Sequence, residues 1–251
     1  MLPKSEVKYI QSLSQKKFRD EQGVFVMEGV KMADEIISSY SHLIKAIYAV
    51  EKWIVKNRGK LTNDISIHQV QDFELQKITG LSVANEVFII LNKPASSIFT
   101  PNDNPVVVAL DQIQDPGNLG TIIRTCDWFG VNHVICSPDS VDAFNPKVVQ
   151  SAMGSLLRVN IIYMKIEQFI NDNRLHTPCV AVLDGESYDK FVFPDKTLLI
   201  IGNESRGVSV SLRKIANKAI TIPRRGKAES LNAAVASAII LSKIADGLPE
   251  L

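Results

Sequence analysis

Five polar residues stand just beyond apolar runs of this 251-residue chain: Asn118 and Arg124 after VVVALD, Glu204 after LLIIG, and Ser230 and Asn232 after ITIP. If those runs are strands, the five groups lie at strand ends, where an open α/β sheet binds its ligands. An amide, a guanidinium, a carboxylate and a hydroxyl gathered there can hydrogen-bond and orient a ligand. Each also has a structural reading of its own. Asn118 and Ser230 fit helix caps, Arg124 a surface ion pair, and Glu204 a cap on the helix after Ser205. Their joint placement in three loops of one domain favours a site.

Several other chemistries are excluded by pattern. The chain has no GxxxxGK[ST] phosphate loop, and Gly117 to Gly120 does not make the GxGxxG turn of a dinucleotide fold. It has neither an HxE with PCxxC nor a GxSxG elbow. Cys126, Cys136 and Cys179, like the four histidines, are too scattered for a metal or disulfide framework, which fits a reducing compartment. The polar N-terminus and the lack of a run of roughly 20 apolar residues imply a cytoplasmic protein without a membrane span.

The elements that must position the five residues follow from local pattern. Val106–Asp111 reads as a strand buried on both faces, followed by a breaker-rich turn and a helix over Thr121–Phe129. His133–Ser137, Val159–Met164 and Val180–Leu183 read as further strands, with helices at Pro146–Met153 and Ile166–Asn171. Asp184-Gly185-Glu186 reads as a strand-end turn. Leu198–Ile201 ends in Gly202-Asn203-Glu204-Ser205-Arg206-Gly207, Ala219–Ile222 stops at Pro223, and Ser230–Ile244 has the Ala, Leu and Ile content of a helix packed on several sides.

The first 94 residues alternate similarly. A helix is expected over Val7–Phe18, ending in a Lys16, Lys17, Arg19 cluster that suits either phosphate or a solvated helix end. Strands at Phe25–Glu28, Ile44–Val50, Ile65–Val70 and Glu86–Leu91 alternate with helices at Val30–Ser39, Glu51–Lys56 and Asp72–Ile78. This small α/β domain holds no nucleophile and base pair, so binding is its expected work. The Pro-rich KPASSIFTPNDNP marks a linker, taken as residues 95–105, before a second domain at 106–251. A net charge of +1 gives no global field for polyanions, so any such partner must meet a local patch.

Three runs, DPGNLGTIIRTCDWFG, LLIIGNESRGVS and ITIPRRGKAESLNAAVASAI, resemble in order and spacing the three motifs of the SpoU, or TrmH, RNA ribose 2′-O-methyltransferases of the SPOUT class. The preceding domain is similar to the L30e-like substrate-binding domain often joined to them. The resemblance implies a parallel α/β sheet whose C-terminal segment is threaded into a deep trefoil knot that binds S-adenosylmethionine. It also implies a homodimer with the active site near the subunit interface.

Carried onto this sequence, the resemblance puts Gly202, Ile222 and Leu231 against the methyl donor, with Leu183 as a further candidate. Arg124 and Asn118 take the places of the motif arginine and asparagine. The family's proposed scheme has Arg124, helped by a substrate phosphate, deprotonate the ribose hydroxyl. A guanidinium that stays protonated would instead orient phosphate and hydroxyl and stabilise the developing alkoxide. Glu204, Ser230 and Asn232 position Arg124 and the ribose.

RNA contacts are expected from Arg206, Arg224, Arg225 and Lys227, with Lys16 and Arg19 from the first domain. Arg224 replaces a methionine common in relatives, and Ala233-Ala234 replaces Val-Ser, which alters the pocket wall. Ribosomal RNA is the expected substrate, because the appended domain belongs more often to ribosomal enzymes, and transfer RNA is the alternative. DNA is not an expected partner. A non-catalytic RNA-binding or ribosome-assembly factor would be free to lose the five polar residues, and a small-molecule methyltransferase would have little use for the first domain.

Overall fold

The structure is a computed structural model that describes residues 1–62, 65–95 and 99–247. Residues 96–98 of the expected linker and 248–251 of the expected second domain lie outside the described residues. The chain divides into two compact units, Met1–Ala95 with Phe144–Gly154, and Ser96–Ala143 with Ser155–Leu251.

The first unit runs α1 (Lys4–Ser12), α2 (Lys16–Gln22), β1 (Val24–Glu28), α3 (Val30–Ser39), β2 (Ile44–Ala49), α4 (Glu51–Asn57), β3 (Ile67–Gln69), α5 (Asp72–Ile78) and β4 (Val87–Asn92). Its sheet has the order β1-β4-β2-β3. Strand β4 is antiparallel to both neighbours, and β2 pairs with β3 in parallel. Every residue of β1 is buried, as are the first five of β4, which explains their continuous apolar runs.

The single helix expected over Val7–Phe18 is two helices. Leu13 is fully buried at the break, and the Ser14 hydroxyl turns back to the Gln11 carbonyl at 2.7 Å. The Arg19 guanidinium donates through Nη1 to the carbonyls of Leu13 (2.9 Å) and Ser14 (2.8 Å), which the end of α1 leaves without helical partners. Arg19 is 1% exposed, so its charge is used inside the first unit rather than offered to a polyanion.

The second unit continues with β5 (Val106–Asp111), α6 (Pro116–Trp128) and β6 (His133–Cys136). Helix α7 (Pro146–Ala152) groups with the first unit, and β7 (Asn160–Tyr163), α8 (Ile166–Asp172), β8 (Thr177–Ser187), β9 (Thr197–Gly202), α9 (Val210–Ile215), β10 (Lys218–Thr221) and α10 (Ala233–Ala245) follow. Six strands in the order β10-β8-β9-β5-β6-β7 pair in parallel throughout. The chain leaves β5 towards β6 and β7, then crosses to the other side of β5 and later fills in β9 beside it. The strand order therefore reverses at β5 and β9, the topological position of a ligand crevice.

Strand β8 does not end where expected. Val180 pairs with Ala219, but the next pair is Glu186 with Ile220, so residues 181–185 bulge out before pairing resumes. A Cβ on Gly185 would lie 2.5 Å from the Ala219 carbonyl carbon, so glycine lets the two backbones close up again. Asp184 and Gly185 thus end a bulge within the strand and Glu186 resumes its pairing, so the three do not form a turn that ends it.

Two histidines pin the entry to β5. His133 Nδ1 meets Asn104 Oδ1 at 2.9 Å and His176 Nε2 meets the Asn104 carbonyl at 2.7 Å, so each donates from that nitrogen. The opposite ring nitrogens are buried without hydrogen-bond partners, and Phe99 packs against both rings. Burial holds both imidazoles below their usual range. The folded protein therefore favours the neutral form. Stability should be complete above the unfolded value of about 6.5 and decline as pH falls through it towards the lower folded values. Thermal unfolding midpoints should drop between about pH 7.5 and pH 5. A variant carrying both His133→Gln and His176→Gln should lose most of that slope.

Candidate active site

Helix α6 begins five residues before the expected Thr121, because Asp115 and Pro116 form its start. Pro116 occupies the first turn, where its missing N–H costs nothing, and Asp115 Oδ1 accepts from Asn118 N at 2.8 Å. Asp115 is therefore the cap, and the Asn118 side chain is free for other work. Its Nδ2 donates to Glu204 Oε1 at 2.6 Å, and its Oδ1 accepts from Asn232 Nδ2 at 2.7 Å. At the far end, Asn232 Oδ1 accepts from Ala234 N (2.9 Å) and Val235 N (3.2 Å), so Asn232, not Ser230, caps α10. The three side chains form one directed chain ending on a carboxylate, which strengthens its hydrogen bond.

Beyond Gly202 the backbone folds back sharply. Gly207 N donates to the Asn203 carbonyl at 2.8 Å, and Gly207 has φ +67°. A Cβ on Gly202 would lie 2.2 Å from the Gly207 carbonyl carbon and Val208 nitrogen. Only glycine fits this crossing.

This fold-back forms one wall of a cleft of about 880 Å³. Leu183 and Asp184 from the β8 bulge, the Gly202–Val208 loop, the segment after β10 and the first turns of α10 complete it. The structure brings Gly202, Ile222, Leu231 and Leu183 to this one cleft, together with Glu204, Ser230, Arg206, Arg224 and Arg225. Asn118 and Asn232 reach it through Glu204. Arg124 and Lys227 are exposed and do not line it, and Lys16 pairs with Asp20 in the first unit.

Four arginines (Arg206, Arg213, Arg224, Arg225) face three carboxylates (Asp184, Glu204, Glu229) in the lining, so the cleft presents both signs of charge. Arg213 Nη2 and Asp184 Oδ1 make an exposed ion pair at 3.0 Å. Sequence reasoning missed Arg213, which follows no strand directly, and missed the capping role of Asp115, although Asp-Pro before a helical run is a start signal. Thiol chemistry has no place in the cleft. All three cysteines are buried, and burial raises their pKa, to about 11 for Cys179 and about 12 for Cys136. Among the described residues no group of His, Cys, Asp and Glu is placed to hold a metal ion, and no helix is long and apolar enough to cross a membrane.

Comparison with known proteins adds a second line. Residues 105–242 match the SpoU rRNA Methylase family, and residues 4–88 match the MRM3-like substrate binding domain. The chain is 28% identical over 243 residues to the 23S rRNA (guanosine(2553)-2′-O)-methyltransferase RlmP of Bacillus subtilis, covering 94% of each. It is 27% identical over 243 residues to the 23S rRNA (uridine(2479)-2′-O)-methyltransferase of Streptomyces viridochromogenes, covering 91% of this chain and 85% of the other. An AdoMet-bound rRNA methyltransferase from Sinorhizobium meliloti superposes with a TM-score of 0.84 at 30% identity, covering 100% of this chain and 97% of that one.

The chain through Asn118 makes its own prediction. Asn232→Asp keeps a good cap but loses the donor to Asn118, whereas Asn232→Ala loses both. Urea unfolding should rank them, with the Ala variant about 1 to 2 kcal/mol below the Asp variant.

Proposed function

The chain belongs to the SpoU rRNA Methylase family, and from that premise we propose that it transfers a methyl group from S-adenosylmethionine to a ribose 2′-hydroxyl of ribosomal RNA. The observation that carries this reading is the cleft itself, where the directed chain through Asn118 ends on Glu204 at the wall formed by Gly202. Transfer RNA is the alternative substrate. The two relatives named as 23S enzymes modify a guanosine and a uridine nucleoside, which fits a site that reads the ribose more closely than the base.

The cleft suits the methyl donor. Its volume lies in the usual range for a small-molecule site, and Leu183, Ile201, Ile222, Leu231 and Ile240 supply apolar wall. Lining groups of both charge signs match a ligand that carries an amine, a carboxylate and a sulfonium. When bound, S-adenosylmethionine supplies an electrophilic methyl group. The Gly202 and Ile222 backbone and the Leu183 and Leu231 side chains would hold it.

The remaining work falls to the protein. A ribose hydroxyl is a poor nucleophile and must shed its proton as it attacks. Glu204 Oε1 is occupied by Asn118, while Oε2 accepts no hydrogen bond among the described residues and can take one from the ribose hydroxyl, and then its proton as the oxygen–methyl bond forms. Ser230 at the cleft adds a hydroxyl partner. The Arg124 guanidinium orients the adjoining phosphate by paired hydrogen bonds and stabilises the developing alkoxide. Exposed Arg206, Arg224, Arg225 and Lys227 meet the backbone of the RNA.

Arg124 serves this site in a homodimer. It lies on the exposed face of α6, with Trp128 one turn further and 82% exposed. Such an aromatic on an open helix face suits burial against a second copy. We place the activity in the cytoplasm, in keeping with the three unpaired cysteines.

Labelled S-adenosylmethionine offered with separated rRNA and tRNA, from cells lacking the gene, tests the substrate. Label confined to tRNA would overturn the rRNA assignment. Arg124→Ala should lower turnover at saturating substrate by about 10²-fold to 10³-fold, and near-normal turnover would remove Arg124 from the chemistry. Trp128→Glu should shift the sedimentation coefficient from dimer to monomer.

A further inference from the structure

The last β5–β9 pair is Asp111 with Gly202, yet the two chain segments stay fastened beyond it. Asn203 Nδ2 donates to the Gln112 carbonyl at 2.8 Å, and Asn203 Oδ1 accepts from Ser205 N (2.9 Å) and Arg206 N (3.2 Å). Gln112 is one of two non-glycine residues with positive φ among the described residues, at +58°, and Ser137 Oγ receives its N–H at 2.8 Å. Such a conformation persists where its surroundings fix it. At the far end of the loop, buried Asp111 accepts from Ser209 N at 2.7 Å.

The loop between these two fastenings is the cleft wall that carries Glu204. Nothing in the sequence motif requires the Asn203 side chain to touch the donor, because all three of its polar contacts are made to backbone. We infer that Asn203 is a positioning residue for methyl-donor binding: its amide ties the Asn203–Gly207 loop to the Gln112 carbonyl and so sets the cleft wall and the reach of Glu204 to Asn118. The inference rests on the reading of this cleft as the S-adenosylmethionine site.

The side chain acts through one donor and one doubly used acceptor, which two substitutions separate. Asn203→Ala removes both. Asn203→Asp is nearly isosteric and keeps the acceptor for Ser205 and Arg206, but once ionised it has no proton to give Gln112. With Ser205 N and Arg206 N donating to it, that carboxylate is favoured in its ionised form, so Asn203→Asp keeps the acceptor and lacks only the donor.

The test is S-adenosylmethionine binding to the full chain without RNA, by calorimetry at about pH 8, alongside wild type. Asn203→Ala should bind at least about tenfold more weakly. Asn203→Asp, which lacks only the bond to the Gln112 carbonyl, should be weakened to a similar degree. RNA affinity of Asn203→Asp, which still holds Arg206 N, should stay within about twofold of wild type.

Either variant binding the donor within about twofold of wild type would overturn the inference. If Asn203→Ala does not fold, Asn203→Asp decides alone. Failure of wild type to bind the donor at all would instead sink the reading of the cleft.

Discussion

One side-chain amide holds three remote segments of the second unit together. Asn118 Nδ2 donates to Glu204, 86 positions away, and its Oδ1 accepts from Asn232, 114 positions away. Neither bond exists until β5, β9 and α10 have been brought to the same end of the sheet. Asn232 uses its remaining oxygen locally, and that fixes the direction of the whole chain of bonds. Asn232 caps α10, and Glu204 lies in a loop that Asn203 fastens to β5. Both polar atoms of the buried Asn118 amide are satisfied, while Glu204 at the cleft keeps Oε2 open.

Charge is distributed along the same logic. The formal net charge of +1 gives no long-range pull on a polyanion, but four arginines line the cleft. The carboxylates of Asp184, Glu204 and Glu229 keep that site from being a uniform basic patch.

Much of the framework is legible from local pattern. The expected helices Val30–Ser39 and Asp72–Ile78 have those bounds in the structure, because amphipathic spacing and flanking breakers are short-range signals. The polar residues at the ends of β5 and β9 were legible as strand-end groups. What local pattern could not show depends on contacts made across the chain. The β8 bulge is set by close approach to β10, so Asp184-Gly185-Glu186 reads as an ordinary turn until that neighbour is known. Arg19 reads as a surface cation because its partners are carbonyls exposed by a helix break. Phe144–Gly154 groups with the first unit through contacts such as Phe144 with Phe25, at 5.0 Å between ring centroids, which no composition shift announces. Asn203 looks like one more loop residue until the Gln112 carbonyl is placed beside it.

The central claim is that the cleft directs methyl transfer to a ribose oxygen. The most direct measurement is the chemical position of the label after reaction of the purified protein with labelled S-adenosylmethionine and ribosomal RNA, read by alkaline digestion. A 2′-O-methyl group blocks cleavage of the following phosphodiester, so the account predicts label in alkali-resistant dinucleotides. Label recovered in mononucleotides would place the methyl on a base and contradict it.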